Sequence, residues 1–333
     1  MTFPPEPAPC RTPCDRCGAL AVFPLFDNPD YLSGEVFRVV RCANCGLART
    51  ACPPEDAAMG QYYGAAYYGE KGRRFLPLME WAVGRFRDAR ARAVRRFHRG
   101  DRPGAVLDVG CGRGLMLIGL KRQGWRCAGT ERSEELAALL GAEYDIPIYT
   151  DPHLYESHLT PESFDVITLW HSLEHMRHPA KTIAEVARLL KPGGVVIVEV
   201  PNLASWQARI GRGRWFHLDT PRHLYHFSAE TLRDVLAEHG LQPVGESTLS
   251  WEQGFYGMWQ TLLNRVTTEP NVLYTLLKKK RPRSRGPALA WNLGITALLL
   301  LPAAVLGTIA EALAVIFRRG GVIRIVARKT TAE

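Results

Sequence analysis

Two groups of residues in this chain have the type and spacing for chemistry. The first is a pair of CxxC motifs, Cys14-Asp-Arg-Cys17 and Cys42-Ala-Asn-Cys45, with residues 18–41 between them. Each motif can close a tight knuckle that aims two thiolates at one ion, and two knuckles supply the four sulfurs of a closed structural zinc site. Six of the eight cysteines fall before residue 53. The start, MTFPPEPAPCRTP, has no basic segment followed by an apolar run, so neither a secretory leader nor a disulfide framework is expected. Reduced, unligated thiols and a redox pair are the alternatives to zinc, and the redox pair lacks a surrounding βαβ pattern.

The second group follows the apolar run Ala105–Val109, which contains Asp108 and leads into Gly110-Cys111-Gly112-Arg113-Gly114. The amphipathic run Leu115–Gln123 comes next. A strand, a glycine turn and a helix in that order let backbone approach a ligand at a helix N-terminus rich in N–H groups. The dinucleotide fingerprint GxGxxG is not met, because Met116 and Leu117 stand where its third glycine would fall. Glu131 ends the next strand, Trp125–Thr130, and an acid there can accept hydrogen bonds from both hydroxyls of a ribose. Histidines crowd two later loops: His171 and His175 past the strand Phe164–Leu169, and His217, His223 and His226 past Val195–Val200. Open α/β sheets bind ligands at the carboxyl ends of strands, and a histidine titrating near neutrality suits proton removal. His175 and His223 are the candidate general bases, with purely structural hydrogen bonding as the alternative for each. Glu174, beside His175, could bind hydroxyl groups.

The elements that must position these residues alternate. Helix Glu134–Ala142, strand Ile146–Thr150 and helix Pro179–Leu190 follow, the last stopped by Pro192-Gly193-Gly194. Ser228 caps the helix SAETLRDVLAEHG, and Leu241–Ser250 and Val322–Arg328 read as two final paired strands. This alternation predicts a doubly wound parallel sheet. In the cysteine module, Gly34–Arg41 reads as a strand entering the second knuckle.

Taken together, VLDVGCGRG, Glu131, FDVITLWHSLEHMRHP, LLKPGGVVIVEVPN and PRHLYHFSAETLRDVLAEHG resemble the class I S-adenosylmethionine-dependent methyltransferases. More narrowly, they resemble bacterial members in which a zinc ribbon precedes the catalytic domain and a tyrosine-rich stretch follows it, here Tyr62-Tyr63 and Tyr67-Tyr68. The resemblance, which covers about residues 14–250 and the final strand, implies an α/β fold: a doubly wound, seven-stranded, Rossmann-like sheet with an N-terminal zinc ribbon; the sequence adds a helical apolar insertion before the last strand. The expected division is a ribbon at 10–52, a tyrosine-rich and basic helical lid or linker at 53–102, a core at 103–250 plus 321–330, and a membrane-associated insertion at 251–320. S-adenosyl-L-methionine and a structural Zn2+ on Cys14, Cys17, Cys42 and Cys45 are the implied cofactors. Carried over by position, Gly110, Gly112 and Gly114 would line the methionine part of the cofactor. Asp108 would fix the loop or meet the amino group, Glu131 would hold the ribose, and Asp151 would meet the adenine edge. Leu169, Trp170 and His171 would flank the methyl-transfer site.

The acceptor is expected to be a small molecule. Zinc-ribbon relatives that act on activated sugars suggest a sugar; the apolar insertion suggests a lipid-linked glycan or an isoprenoid-like compound. An RNA or protein methyltransferase, and a catalytically silent membrane scaffold, are the alternatives. The net charge of +9 favours anionic partners. The run 75–99 has helical apolar spacing with Arg85, Arg92, Arg95, Arg96 and Arg99 on the other side. It carries no aromatic-interleaved basic motif, so nucleic acid is not an expected partner.

Residues 288–310 carry no charge. A single crossing would separate the two ends of an insertion whose flanking strands belong to one sheet. Pro302 divides the run into Leu289–Leu301 and Ala303–Phe317, each about 20–23 Å long as a helix and shorter than a ~30 Å hydrocarbon core. Basic residues flank both ends. The expectation is a helical hairpin dipping into one leaflet, or interfacial helices, through 288–317 at the cytoplasmic side of a membrane, monotopic or peripheral. A buried helical cap or dimer interface is the alternative. No oligomeric state follows from the sequence.

Overall fold

A computed structural model of the chain describes residues 12–63 and 88–330. Tyr67, Tyr68 and the 75–87 part of the expected basic helix lie outside the described residues, whereas 88–97 is helical.

The N-terminal module is built of strands β1 (Val22–Pro29), β2 (Val36–Cys42) and β3 (Ala48–Thr50), paired antiparallel. The main sheet contains β4 (Ala105–Val109), β5 (Arg126–Thr130), β6 (Ile148–Tyr149), β7 (Phe164–Trp170) and β8 (Leu190–Pro201). A short strand, β9 (Tyr225–His226), leaves this core to pair with β3, so the module's sheet runs β1-β2-β3-β9. Strands β10 (Leu241–Ser247) and β11 (Val322–Lys329) complete a seven-stranded sheet in the order β10-β11-β8-β7-β4-β5-β6. Its strands from β8 to β6 are parallel, and β11 is antiparallel to both neighbours. This is the seven-stranded Rossmann-like sheet that the sequence resemblance implied.

The apolar character of the central strands follows from cover on both faces. All five residues of β4 are buried, and so are most of β7 and β8. Helices Leu115–Lys121, Glu134–Tyr144, Pro179–Leu189 and Ala229–Ala237 supply that cover. Ser228 caps the last of these through a capping box with Thr231. The helix before β8 ends at Leu189, and the strand already includes the Pro192-Gly193-Gly194 that was expected to separate them.

The two middle residues of the first CxxC fasten the module to the core. The Asp15 carboxylate accepts the Ala180 N–H at 3.0 Å and contacts His178 Nδ1 at 2.9 Å, both at the start of helix Pro179–Leu189. A carboxylate there complements the helix dipole. Arg16 pairs with Asp234 and Glu238 near the end of helix Ala229–Ala237.

Residues 251–321 form a helical layer that enters before β11. Gly254–Asn264 and Val272–Leu277 are helices, and Gly286–Ile316 is one continuous helix of 31 residues. The expected hairpin at Pro302 is therefore corrected. Proline inside a helix costs about 3 kcal/mol. Here the buried positions Asn292, Thr296, Ala303, Gly307, Glu311 and Ala314 form one stripe that runs past Pro302. Packing along that whole stripe outweighs the local break.

Candidate active site

The glycine loop after β4 is held from both sides. Gly110 and Cys111 donate their N–H groups to the Thr130 carbonyl at 3.0 and 2.9 Å, which fixes the loop against the end of β5. Gly112 donates to Glu131 Oε2 at 3.0 Å, and Ser133 donates to Glu131 Oε1 at 3.0 Å. Each carboxylate oxygen thus accepts one backbone N–H and keeps a lone pair for a ligand hydroxyl. Gly112 has φ +54°, and a Cβ there would meet nothing within 4 Å, so the loop presents bare backbone to open space. Gly114 is glycine for another reason: its φ is +59° and a Cβ would come 2.7 Å from Leu140. Asp108, buried under the loop, accepts the Thr168 hydroxyl at 2.6 Å. Burial pushes its pKa up to about 6, against the pull of the Thr168 bond. A bare loop, a strand-end carboxylate with spare acceptor capacity and a buried acid fit the S-adenosylmethionine site that the sequence implied. Asp151 is exposed just beyond β6, and Leu169 and Trp170 are buried at the end of β7.

The two histidine loops converge on each other, and the first of them touches this cradle. A Cβ on Gly110 would lie 2.9 Å from Ser172 Cβ, so the glycine loop touches the segment that follows β7. In that segment His171 adopts a left-handed backbone, φ +52°, and its N–H donates to the Glu199 carbonyl on β8 at 2.8 Å. The His171 ring lies between two carboxylates, 3.2 Å from Glu199 Oε1 and 3.4 Å from Glu174 Oε1. Burial opposes its charge, but the bonds to Glu174 and Glu199 outweigh it and raise its pKa to about 9. Burial likewise opposes charge on the two acids. The His171 contact, aided by Arg324 at Glu199, nonetheless holds both down to about 2. His171 is therefore an imidazolium locked in an ion-pair network rather than a free base. Trp170 is flanked by the guanidinium groups of Arg90 and Arg324, 5.2 and 5.1 Å from its ring.

His175 and His223, 48 positions apart, come together with their ring centroids 4.7 Å apart. His175 Nδ1 lies 2.9 Å from the Arg222 carbonyl and 2.9 Å from the Tyr63 hydroxyl. His223 Nδ1 lies 2.8 Å from the His217 carbonyl. A backbone carbonyl at Nδ1 fixes the tautomer and leaves Nε2 as the basic nitrogen. One ligand atom from each of Glu174, His175 and His223 falls within 4.8 Å of the others. Glu174 is 1% exposed, and the 3.4 Å His171 contact is the one ion pair its oxygens make among the described residues. Burial, then the charge of His175, pushes the His223 pKa down to about 4, so it is neutral at physiological pH. Burial holds His217 and His226 down to about 3. His226 is occupied structurally in β9, 3.3 Å from Thr50 Oγ1.

Arg222 was invisible as a site residue in the sequence. It is fully buried and pairs with Asp30 and Asp219, each at 2.6 Å. This places the peptide of Arg222 and His223 against the N-terminal module. Nothing in the run Thr220-Pro-Arg-His223 signals that pairing, because its partner Asp30 is remote in sequence.

The four cysteines also converge. Cys14 and Cys45 Sγ are 3.5 Å apart, as are Cys17 and Cys42, and all four lie within 4.8 Å of one another. Tetrahedral zinc with Zn–S near 2.3 Å requires sulfur separations of roughly 3.8 Å, which this cluster fits.

A family model described as a methyltransferase domain matches residues 81–246. A ubiquinone biosynthesis O-methyltransferase of Caulobacter vibrioides is 31% identical over 245 residues, covering 68% of this chain and 94% of that protein. One of the same description from an Azoarcus species is 35% identical over 102 residues, which are 29% of this chain and only 44% of that relative. Among solved structures, a Burkholderia thailandensis 1,6-didemethyltoxoflavin-N1-methyltransferase covers 91% of this chain at 16% identity, with a TM-score of 0.49.

Proposed function

The chain belongs to the class I S-adenosylmethionine-dependent methyltransferases, and from that premise we propose that it methylates a hydroxyl of a small, lipid-soluble acceptor at the cytoplasmic face of a membrane. The observation that carries this reading is the convergence of Glu174, His175 and His223, the first two just after Ser172, which touches the glycine loop. Bound S-adenosylmethionine supplies an electrophilic methyl on a good leaving group. Glu131 holds the ribose, and Gly110, Gly112 and Gly114 approach the methionine part. Asp108 meets the amino group, with Asp151 at the adenine edge. Leu169, Trp170 and His171 wall the transfer site. His223, neutral and oriented through Nδ1, takes the acceptor's one proton at Nε2; His175 lies against its ring and Glu174 stabilises the resulting imidazolium. The cysteine cluster holds zinc as a structural ion, and the division into ribbon, lid, core and insertion belongs to the same proposal.

Two features favour an isoprenoid-like acceptor over a sugar or lipid-linked glycan. The similar Caulobacter protein is named for ubiquinone biosynthesis. The apolar helix Gly286–Ile316 packs on helix Gly254–Asn264, which packs on the 216–218 turn whose His217 carbonyl orients His223. The test is to incubate the enzyme with methyl-labelled cofactor and a lipid extract of membranes. Label entering an organic-soluble, base-stable product supports the reading. Label confined to water-soluble sugar, RNA or protein overturns it.

A further inference from the structure

The helix Gly286–Ile316 has the polarity of a soluble helix turned inside out. Its protein-facing stripe holds Asn292, Thr296, Gly307 and Glu311, while Leu298, Leu301 and Ile316 on the other sides are 71–72% exposed. Two of these side chains are specifically bonded: Asn292 Oδ1 accepts the Thr268 N–H at 2.8 Å, and Glu311 accepts from Gln207 at 2.7 Å and from the Gly321 N–H at 2.8 Å. A Cβ on Gly307 would fall 2.7 Å from the Trp259 ring, so the two helices touch there. Glu311 is the only charged residue of the helix, and it is fully buried on the protein side. A helix that hides its polar atoms in protein and turns its leucines outward matches surroundings less polar than the protein.

We infer that this helix lies flat in one leaflet of an anionic bilayer, held along its length by the domain above it. Its 31 residues span about 46 Å, against a ~30 Å hydrocarbon core. The bonded stripe extends from Asn292 to Ala314, so a crossing would carry the underlying helices and their polar bonds into the bilayer. Both ends return to the same sheet, through β10 and β11. Lys279, Arg281 and Arg285 are exposed beside the first turn, and Arg318 and Arg319 after the last. Cations at both ends of an uncharged outer face complement anionic headgroups in the plane of the surface.

This inference rests on the membrane-facing part of the proposed function and adds an orientation that can fail separately. The full-length protein is floated with vesicles of phosphatidylglycerol and phosphatidylethanolamine. Binding should fall by about tenfold or more in Leu298→Glu/Leu301→Glu. It should be unchanged in Phe23→Glu, an apolar site on β1 that is 61% exposed. S-adenosylhomocysteine binding should be intact in both variants, which shows that they are folded. Sidedness is read with an impermeant maleimide on Arg281→Cys and Arg318→Cys in oriented membrane vesicles, over the wild-type background. Labelling of both from the cytoplasmic side alone supports the flat helix. Labelling from opposite sides overturns it while leaving the membrane reading standing. No vesicle binding, with a lipid-free dimer that the double glutamate variant dissociates, overturns both.

Discussion

Glu131 offers the sharpest test of the cofactor site, because its two oxygens already have different work. Oε2 takes the Gly112 N–H and Oε1 the Ser133 N–H, each at 3.0 Å. Glutamine at 131 can satisfy only one of these donors as before; its amide nitrogen would face the other N–H, donor against donor. One charge-assisted hydrogen bond is worth about 1.5–3 kcal/mol. That amide nitrogen also cannot accept a hydroxyl, so Glu131→Gln should lose one of the two proposed ribose bonds and weaken binding by about 2 kcal/mol, or roughly 30-fold in Kd. Glu131→Ala would lose both of the proposed ribose bonds and should cost about 4 kcal/mol, close to 10³-fold. Calorimetric titration with S-adenosylhomocysteine reads these values directly. Melting of the ligand-free variants separates the loop's own loss from that of the ligand. An alanine variant that binds within threefold of wild type, yet melts lower, would show that Glu131 merely staples the loop and that the ribose assignment is wrong.

Three further outcomes follow from the same geometry. Replacing His223 with alanine should lower kcat by about 10²–10⁴-fold with little change in S-adenosylhomocysteine affinity, as general bases do; an equal loss in both would demote it to a structural role. Acid should destabilise the fold early. His217, His223 and His226 have folded pKa values of about 3, 4 and 3, below the unfolded value near 6.5, so the unfolded chain takes up their protons first. Each then removes about 1.4 kcal/mol per pH unit below 6.5, or roughly 5 kcal/mol in all between pH 7 and 5 after the opposing gain at His171. Urea unfolding at the two pH values measures the drop, and a flat profile would refute the buried neutral assignment. Finally, Arg222→Met should cost about 3–5 kcal/mol in thermal or urea unfolding, since it leaves Asp30 and Asp219 without their cation. A loss under 1 kcal/mol would mean that water reaches the pair.

What could be read from the sequence was whatever geometry forces onto local residue choice. The glycine loop was legible because bare backbone and positive φ leave glycine as the ready solution at Gly112 and Gly114. The cysteine pairs were legible because a metal knuckle fixes its own spacing. Glu131 could be placed because strand ends are regular. The meeting of His175 with His223 was only half legible: each was recognisable as a strand-end histidine, but their contact depends on how two loops fold. Arg222 carried no signal, since a buried ion pair with Asp30 is purely tertiary. The apolar segment was recognised by its length, yet its shape was not. The break expected at Pro302 is local chemistry, and the stripe that overrides it becomes visible only with the partner helices in place.

The position of β11 bears on how the protein is made. It lies between β8 and β10, yet it is the last strand in the chain. Until residues 322–329 leave the ribosome, β8 and β10 both present unpaired edges, a state prone to wrong partners. The apolar helix Gly286–Ile316 is synthesised just before that strand. A nascent chain therefore exposes its apolar outer face while the main sheet is still open. If the proposed membrane contact forms at that moment, the bilayer would shelter the helix and hold its two ends near the gap that β11 must fill, and so take part in completing the sheet.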